Sequence, residues 1–210
     1  MEHLNTLLTR YPVLEPLREE INTAFDVMKR CYENGGKVLI CGNGGSAADS
    51  EHIVGELMKG FLLRRPVSNE FEELLAKEGG EEGRALAKNL QGSLSAISLP
   101  GQTALVSAYC NDVEPAAVYA QLVLGHGNPE DVLICMSTSG NSKNIYYAAL
   151  VAKAKGVKTI GMTGQKDSRL SAICDICIQV PETETYKIQE LHLPVYHDIC
   201  ADVEAAFFDK

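Results

Sequence analysis

Two short stretches of this chain set small and hydroxyl residues between an apolar run and a helical pattern. They are Cys41-Gly-Asn-Gly-Gly-Ser46, after Lys37-Val-Leu-Ile40, and Ser137-Thr-Ser-Gly-Asn-Ser142, after Val132-Leu-Ile-Cys-Met136. A loop running from a buried strand into a helix N-terminus turns free backbone N–H groups toward whatever lies above it, and the helix dipole favours an anion there. The second loop adds the hydroxyls of Ser137, Thr138, Ser139 and Ser142, all able to donate to phosphate oxygens. One such loop is ordinary turn chemistry. Two in one alternating pattern point to a phosphorylated ligand.

Acid/base and metal-ligand chemistry has its own candidates. His52 and Glu56 are four residues apart just beyond the first loop, so a helix places them on one face, one turn apart. Taken alone, that pair is a weak surface interaction. The segment Tyr186-Lys-Ile-Gln-Glu-Leu-His-Leu-Pro-Val-Tyr-His197 adds Gln189, Glu190, His192 and His197. On one ideal helix, Gln189 and His197 would lie ~12 Å apart along the axis. They could share one ion only by leaning together or by coming from different subunits. Pro194 is comfortable only in a first helical turn, so a helix here either starts near Leu191 or bends.

The elements that must position these groups follow from apolar patterning. Strand-like runs cover 37–41, 94–99, 132–136, 158–162 and 175–180, with helical patterns between most of them. This alternation predicts an α/β fold, a three-layer αβα sandwich around a central parallel sheet. Ligands of such sheets sit above the carboxyl ends of the strands, the edge both hydroxyl-rich loops occupy. Leu17, Ile21, Phe25, Met28 and Tyr32 recur every three or four residues within an amphipathic helix spanning about 14–34 and ended by Gly35-Gly36. Its second face could pack on a partner chain. The stretch 64–89, with six glutamates around Gly79-Gly80, is expected to be a solvated surface excursion with a short helix.

Composition narrows the classes. At 210 residues, 45% of them hydrophobic, the chain suits one domain over 1–210. A net charge of −9 leaves no excess of cations for a nucleic-acid partner. Neither a secretory leader nor a long apolar span stands in the sequence, so no membrane is expected. Seven cysteines, mostly in or beside apolar runs, suit reduced thiols and a cytoplasmic setting. Cys174-Asp-Ile-Cys177 has no second pair for a zinc ribbon and is read as core. Gly42-x-Gly44-x-x-Ala47 fits a dinucleotide fingerprint only loosely and lacks the acidic residue that should follow.

In this order and spacing, Cys41-Gly-Asn-Gly-Gly-Ser-Ala-Ala48, Asn111-Asp112, Ser137-Thr-Ser-Gly-Asn-Ser142 and Ile188-Gln-Glu190 resemble a sugar isomerase (SIS) domain, specifically the sedoheptulose 7-phosphate (phosphoheptose) isomerase family. The resemblance runs from about Leu14 to the C-terminus, interrupted by the 64–89 excursion. It implies a flavodoxin-like, doubly wound SIS fold, a homotetramer with active sites at subunit interfaces, and bound zinc. It further implies that His52, Glu56, Gln189 and His197 are metal ligands. Asn43, Gly44, Gly45, Glu56, Asn111, Asp112, Ser137, Thr138, Ser139, Ser142 and Gln189 would contact the sugar phosphate.

The implied reaction converts sedoheptulose 7-phosphate to D-glycero-D-manno-heptose 7-phosphate through an enediol. Glu56 and His197 would share the acid/base work, and zinc would polarise or orient the substrate oxygens. Two departures bear on the substrate more than on the reaction: Lys59-Gly60 stands where the family usually has Gly-Arg, and Tyr186 where many members have Asp or Pro. The rival readings are a noncatalytic SIS regulator and an isomerase of another sugar phosphate. Relatives that associate with the bacterial replication initiator share both loops but lack matches to Glu56 and His197, which this chain has.

Overall fold

The computed structural model describes residues 2–209. Five strands, β1 (Val38–Cys41), β2 (Ala96–Ser98), β3 (Val132–Met136), β4 (Lys158–Gly164) and β5 (Ile176–Val180), form one sheet in the order β2-β1-β3-β4-β5. Every pairing is parallel. The order reverses between β1 and β3, the crevice in which open α/β sheets hold ligands.

The two central strands are buried along their whole length, as a parallel sheet covered on both faces requires. Successive side chains serve opposite layers. Val38 and Ile40 join Val132, Ile134 and Met136 on the face packed by α1 (Glu2–Arg10), α2 (Arg18–Glu33), α3 (Gly45–Met58) and the long C-terminal helix Thr185–Phe208. Leu39 and Cys41 join Leu133 and Cys135 on the other face, under α6 (Val118–His126), α7 (Lys143–Ala154) and α8 (Arg169–Ile173). Val106, Tyr109 and Cys110 of α5 (Thr103–Asp112) pack at its margin. This is the expected three-layer sandwich.

Local details differ from the sequence reading. The first amphipathic helix begins at Arg18, because Pro12 and Pro16 hold the preceding turn in a 3-10 helix over Pro12–Leu17. A further helix, α1, precedes it and packs Leu4, Leu7 and Leu8 into the core. In the excursion, α4 (Asn69–Ala87) is longer than the short helix expected. Gly80 breaks it at φ +57°, and the chain doubles back so that Arg84 Nη1 donates to Glu73 Oε1 at 2.9 Å. An antiparallel bridge between Pro66 and Gln91 closes its neck. The C-terminal helix, α9 (Thr185–Phe208), does not start near Leu191: it begins at Thr185 and runs through Pro194 for 24 residues.

Candidate active site

Cys41 and Cys135 are register partners on β1 and β3, so the loops that follow them leave the sheet side by side. The first loop turns into α3 through Gly44, whose φ of +55° is a conformation glycine adopts without a Cβ clash. The second reaches α7 through Ser142. Two helix N-termini thus face one cavity of about 330 Å³. Asn43, Gly44, Gly45 and Ser46 line it from the first loop, and Met136, Ser137, Thr138 and Ser142 from the second. Thr185 and Gln189 close it from the first turns of α9. A Cβ on Gly45 would lie 2.5 Å from Gln189 Nε2, so the glycine is what lets the amide approach. Ser137 and Ser142 hydroxyls are 3.0 Å apart. Among the described residues no basic side chain lines this cavity; its hydroxyls, amides and helix dipoles suit it to cradle an anion.

Farther along the same two helices, α3 presents His52 and Glu56 toward His197 of α9. His52 Nε2 stands 3.0 Å from Glu56 Oε1 and 3.4 Å from His197 Nε2. The three donor atoms lie within 4.8 Å of one another. Two imidazole nitrogens and a carboxylate oxygen that converge in this way form a donor set that suits zinc. His52 Nδ1 is 3.1 Å from the hydroxyl of Tyr196, which in turn donates to Asp49 Oδ1 at 3.3 Å. Burial holds the Tyr196 hydroxyl well above its usual range, so it stays a donor. Burial, and then the neighbouring His52, lower the pKa of His197 and favour its neutral imidazole. The second oxygen of Glu56, Oε2, meets Lys59 Nζ at 3.3 Å.

Of the residues singled out from sequence, the fold brings Asn43, Gly44, Gly45, Ser137, Thr138, Ser142 and Gln189 together in the cradle, and His52, Glu56 and His197 in the cluster. Gln189 lines the cradle, eight residues before His197 on one continuous helix. Ser139 spends its hydroxyl accepting from the backbone N–H of Asn141 at 3.2 Å and does not line the cavity. Asn111 and Asp112 lie exposed at the end of α5, hydrogen-bonded to each other at 2.8 Å and outside the cradle. His192 is buried, its Nε2 on the carbonyl of Thr163 at 3.2 Å.

Sequence reasoning missed four partners. Asp49 and Thr185 were within reach of helical spacing, three residues before His52 and four before Gln189. Asn144, which pairs with Asn43, and Tyr196 carried no signal, because an aromatic beside an apolar stripe reads as core.

This parallel sheet, with a hydroxyl- and amide-lined cavity at its switch point, is that of an α/β protein of the SIS class, and two SIS-domain family profiles match residues 4–87 and 91–196. A phosphoheptose isomerase of Rhodospirillum rubrum is 37% identical over 186 residues, 89% of this chain and 85% of that protein. One from Helicobacter pylori is 36% identical over 94% of this chain and 89% of its own length. The solved structure of a phosphoheptose isomerase from Neisseria gonorrhoeae superposes with a TM-score of 0.75 at 27% identity, covering 97% of this chain and 96% of that one. The chain belongs to the phosphoheptose isomerase family.

Proposed function

We propose that this protein is an aldose–ketose isomerase that converts sedoheptulose 7-phosphate to D-glycero-D-manno-heptose 7-phosphate, and that residues 1–210 form one SIS domain. The observation that carries the reading is the convergence of Glu56, His52 and His197 on the helices that also build the cradle. A binding module needs only the cradle; an isomerase needs a base and a proton carrier as well.

In this reading the phosphate is held by the hydroxyls of Ser137, Thr138 and Ser142, by Asn43, Gly44, Gly45 and Gln189, and by the N-termini of α3 and α7. Asn111, Asp112 and Ser139 are assigned to the sugar by family resemblance alone. Glu56 takes the carbon-bound proton and returns it to the neighbouring carbon, while His197 moves a proton between the substrate oxygens. Its lowered pKa favours the neutral imidazole at neutral pH, whose lone pair would serve the metal and that proton in turn. Glu56 has one oxygen toward His52 and the other turned away to Lys59, so its carboxylate can serve a metal and a proton in turn. Zinc, held by His52, Glu56 and His197, supplies electrophilic polarisation of the substrate oxygens when bound. The hydrogen bonds from His52 through Tyr196 to Asp49 keep the proton on Nδ1 and leave the Nε2 lone pair for the metal.

We place Gln189 at the metal only through a neighbouring subunit of a homotetramer. Support for such a contact is the groove of about 320 Å³ beside His197, where Leu62 and Leu193 stand 58% and 39% exposed. Among the described residues no helix is long and apolar enough to cross a membrane. Seven unpaired thiols support a reducing, cytoplasmic setting.

The test is an NMR assay of the purified chain with sedoheptulose 7-phosphate, with a chelator and with added zinc. New aldose anomeric signals that depend on zinc support the assignment. Silence from a folded, zinc-loaded chain overturns it and moves the weight to another sugar phosphate or to a binding role.

A further inference from the structure

Helix α3, which carries His52 and Glu56, ends without a glycine cap: Lys59 leaves it in extended backbone at φ −136°. The last carbonyls of such a helix need other donors. They find them in Arg65. Its Nη1 donates to the carbonyl of Leu57 at 2.7 Å and its Nη2 to the carbonyl of Glu56 itself at 3.0 Å. The same guanidinium donates through Nε to Glu204 Oε1 at 2.7 Å, and both side chains are fully buried. Glu204 also accepts the backbone N–H groups of Phe61, Leu62 and Leu63, at 2.7, 2.7 and 3.0 Å. The ring of Phe208 lies beneath the guanidinium at 4.8 Å.

The placement of this pair matters more than its strength. Glu204 stands seven residues beyond His197 on α9, two turns along and on the same face. The ion pair therefore ties the end of the helix bearing Glu56 to the helix bearing His197, and its grip on α3 is the main chain of Glu56. Replacing a buried ion pair by apolar groups is often neutral for stability, so stability alone does not account for it.

We infer that Arg65 is a positioning residue of the active site: braced by Glu204, it fixes the last turn of α3 and so sets the Glu56 carboxylate against His52 and His197. The inference rests on the reading of those three residues as the metal and proton site. Displacing a ligand by about 1 Å is enough to cost a hundredfold in turnover, and loss of groups that orient metal ligands weakens metal binding about 10–100-fold.

The experiment measures zinc affinity of the full chain by chelator competition, together with kcat and melting temperature, in Arg65→Lys, Glu204→Gln and Asp131→Asn. Asp131 is the control for stability alone: it is buried and paired with Lys37 at 2.6 Å, at the opposite, amino edge of the sheet. The expected result is a lower melting temperature in all three, with zinc bound tenfold or more weakly only in the first two. Arg65→Ala should regain zinc affinity on addition of guanidinium ion but not of sodium at equal ionic strength. Zinc affinity within twofold of wild type in Arg65→Lys and Glu204→Gln overturns the inference, as does an equal loss in Asp131→Asn. If Arg65→Lys does not fold, the near-isosteric Glu204→Gln carries the comparison. If neither folds while Asp131→Asn does, the pair belongs to core stability and the inference falls. Failure of the site reading itself looks different: wild type then releases zinc as readily as His52→Gln, and the positioning role falls with it.

Discussion

Asn43 and Asn144 exchange two side-chain hydrogen bonds, each carboxamide donating to the other at 2.9 Å. One residue belongs to the loop after β1 and the other to the first turn of α7, so the pair fastens together the two halves of the cradle across the switch point of the sheet. In the proposed function both halves hold one anion in register, and this pair links them side chain to side chain.

Asn144→Ala should therefore loosen the cradle without touching the proton-transfer groups. Two lost hydrogen bonds of modest net strength predict an increase in KM for the sugar phosphate of about tenfold, with kcat nearly unchanged. Steady-state kinetics would show it; an unchanged KM would mean that the two loops are held independently.

Glu56→Gln keeps the shape and one hydrogen-bonding oxygen but cannot accept a carbon-bound proton. Turnover should fall by about a hundredfold or more, while sugar phosphate still binds at the cradle. Full turnover in a variant that binds substrate would remove Glu56 from the mechanism.

Metal removal should act through the imidazoles. Dialysis against a chelator is expected to abolish isomerisation and zinc to restore it, and His197→Gln should need more zinc for half-restoration than wild type. The cradle contains none of the three converging ligands, so phosphate affinity of the chelated protein should hold. A chelated enzyme that retains its rate would show that the cluster works without metal.

His192 gives a prediction for pH. Burial pushes its pKa down to about 4, and its Nδ1 has no hydrogen-bond partner, so the folded state holds the neutral ring. The unfolded chain takes up a proton near the ordinary value while the folded one does not. The stability this residue contributes is thus complete above about pH 6.5 and is lost as pH falls toward 4, up to ~3 kcal/mol in all. Urea denaturation at pH 7.5 and pH 5 should show a steeper loss in wild type than in His192→Asn. Equal losses would mean that the ring protonates in the fold.

Much of the framework was legible in the sequence, and the reason is local. The five strand positions followed from runs such as Val132–Met136, in which burial on both faces admits only apolar residues. Both loops were legible because small and hydroxyl residues after a buried strand have few other uses. Boundaries were less legible. A proline inside a helix pattern argues for a break, yet Pro194 lies within α9, where packing against α1, α2 and α3 outweighs one lost backbone hydrogen bond. The doubling back of α4 at Gly80 was hidden because a glycine in a charged stretch reads equally as loop or hinge.

By itself, the sequence singled out the residues suited to the chemistry: spacing on one helix paired His52 with Glu56, and the order of motifs pointed to the phosphoheptose isomerase family. Only the tertiary structure decided which residues meet. It set His197 against His52 while leaving Gln189 in the cradle, because one continuous helix keeps residues eight apart ~12 Å apart along its axis. It also supplied Tyr196 behind His52, Asn144 opposite Asn43, and the Arg65–Glu204 pair, separated by 139 residues, at the end of α3. Contacts between elements distant in the chain leave no periodicity for a sequence to display. They arise when helices pack, and packing is where this site is finished.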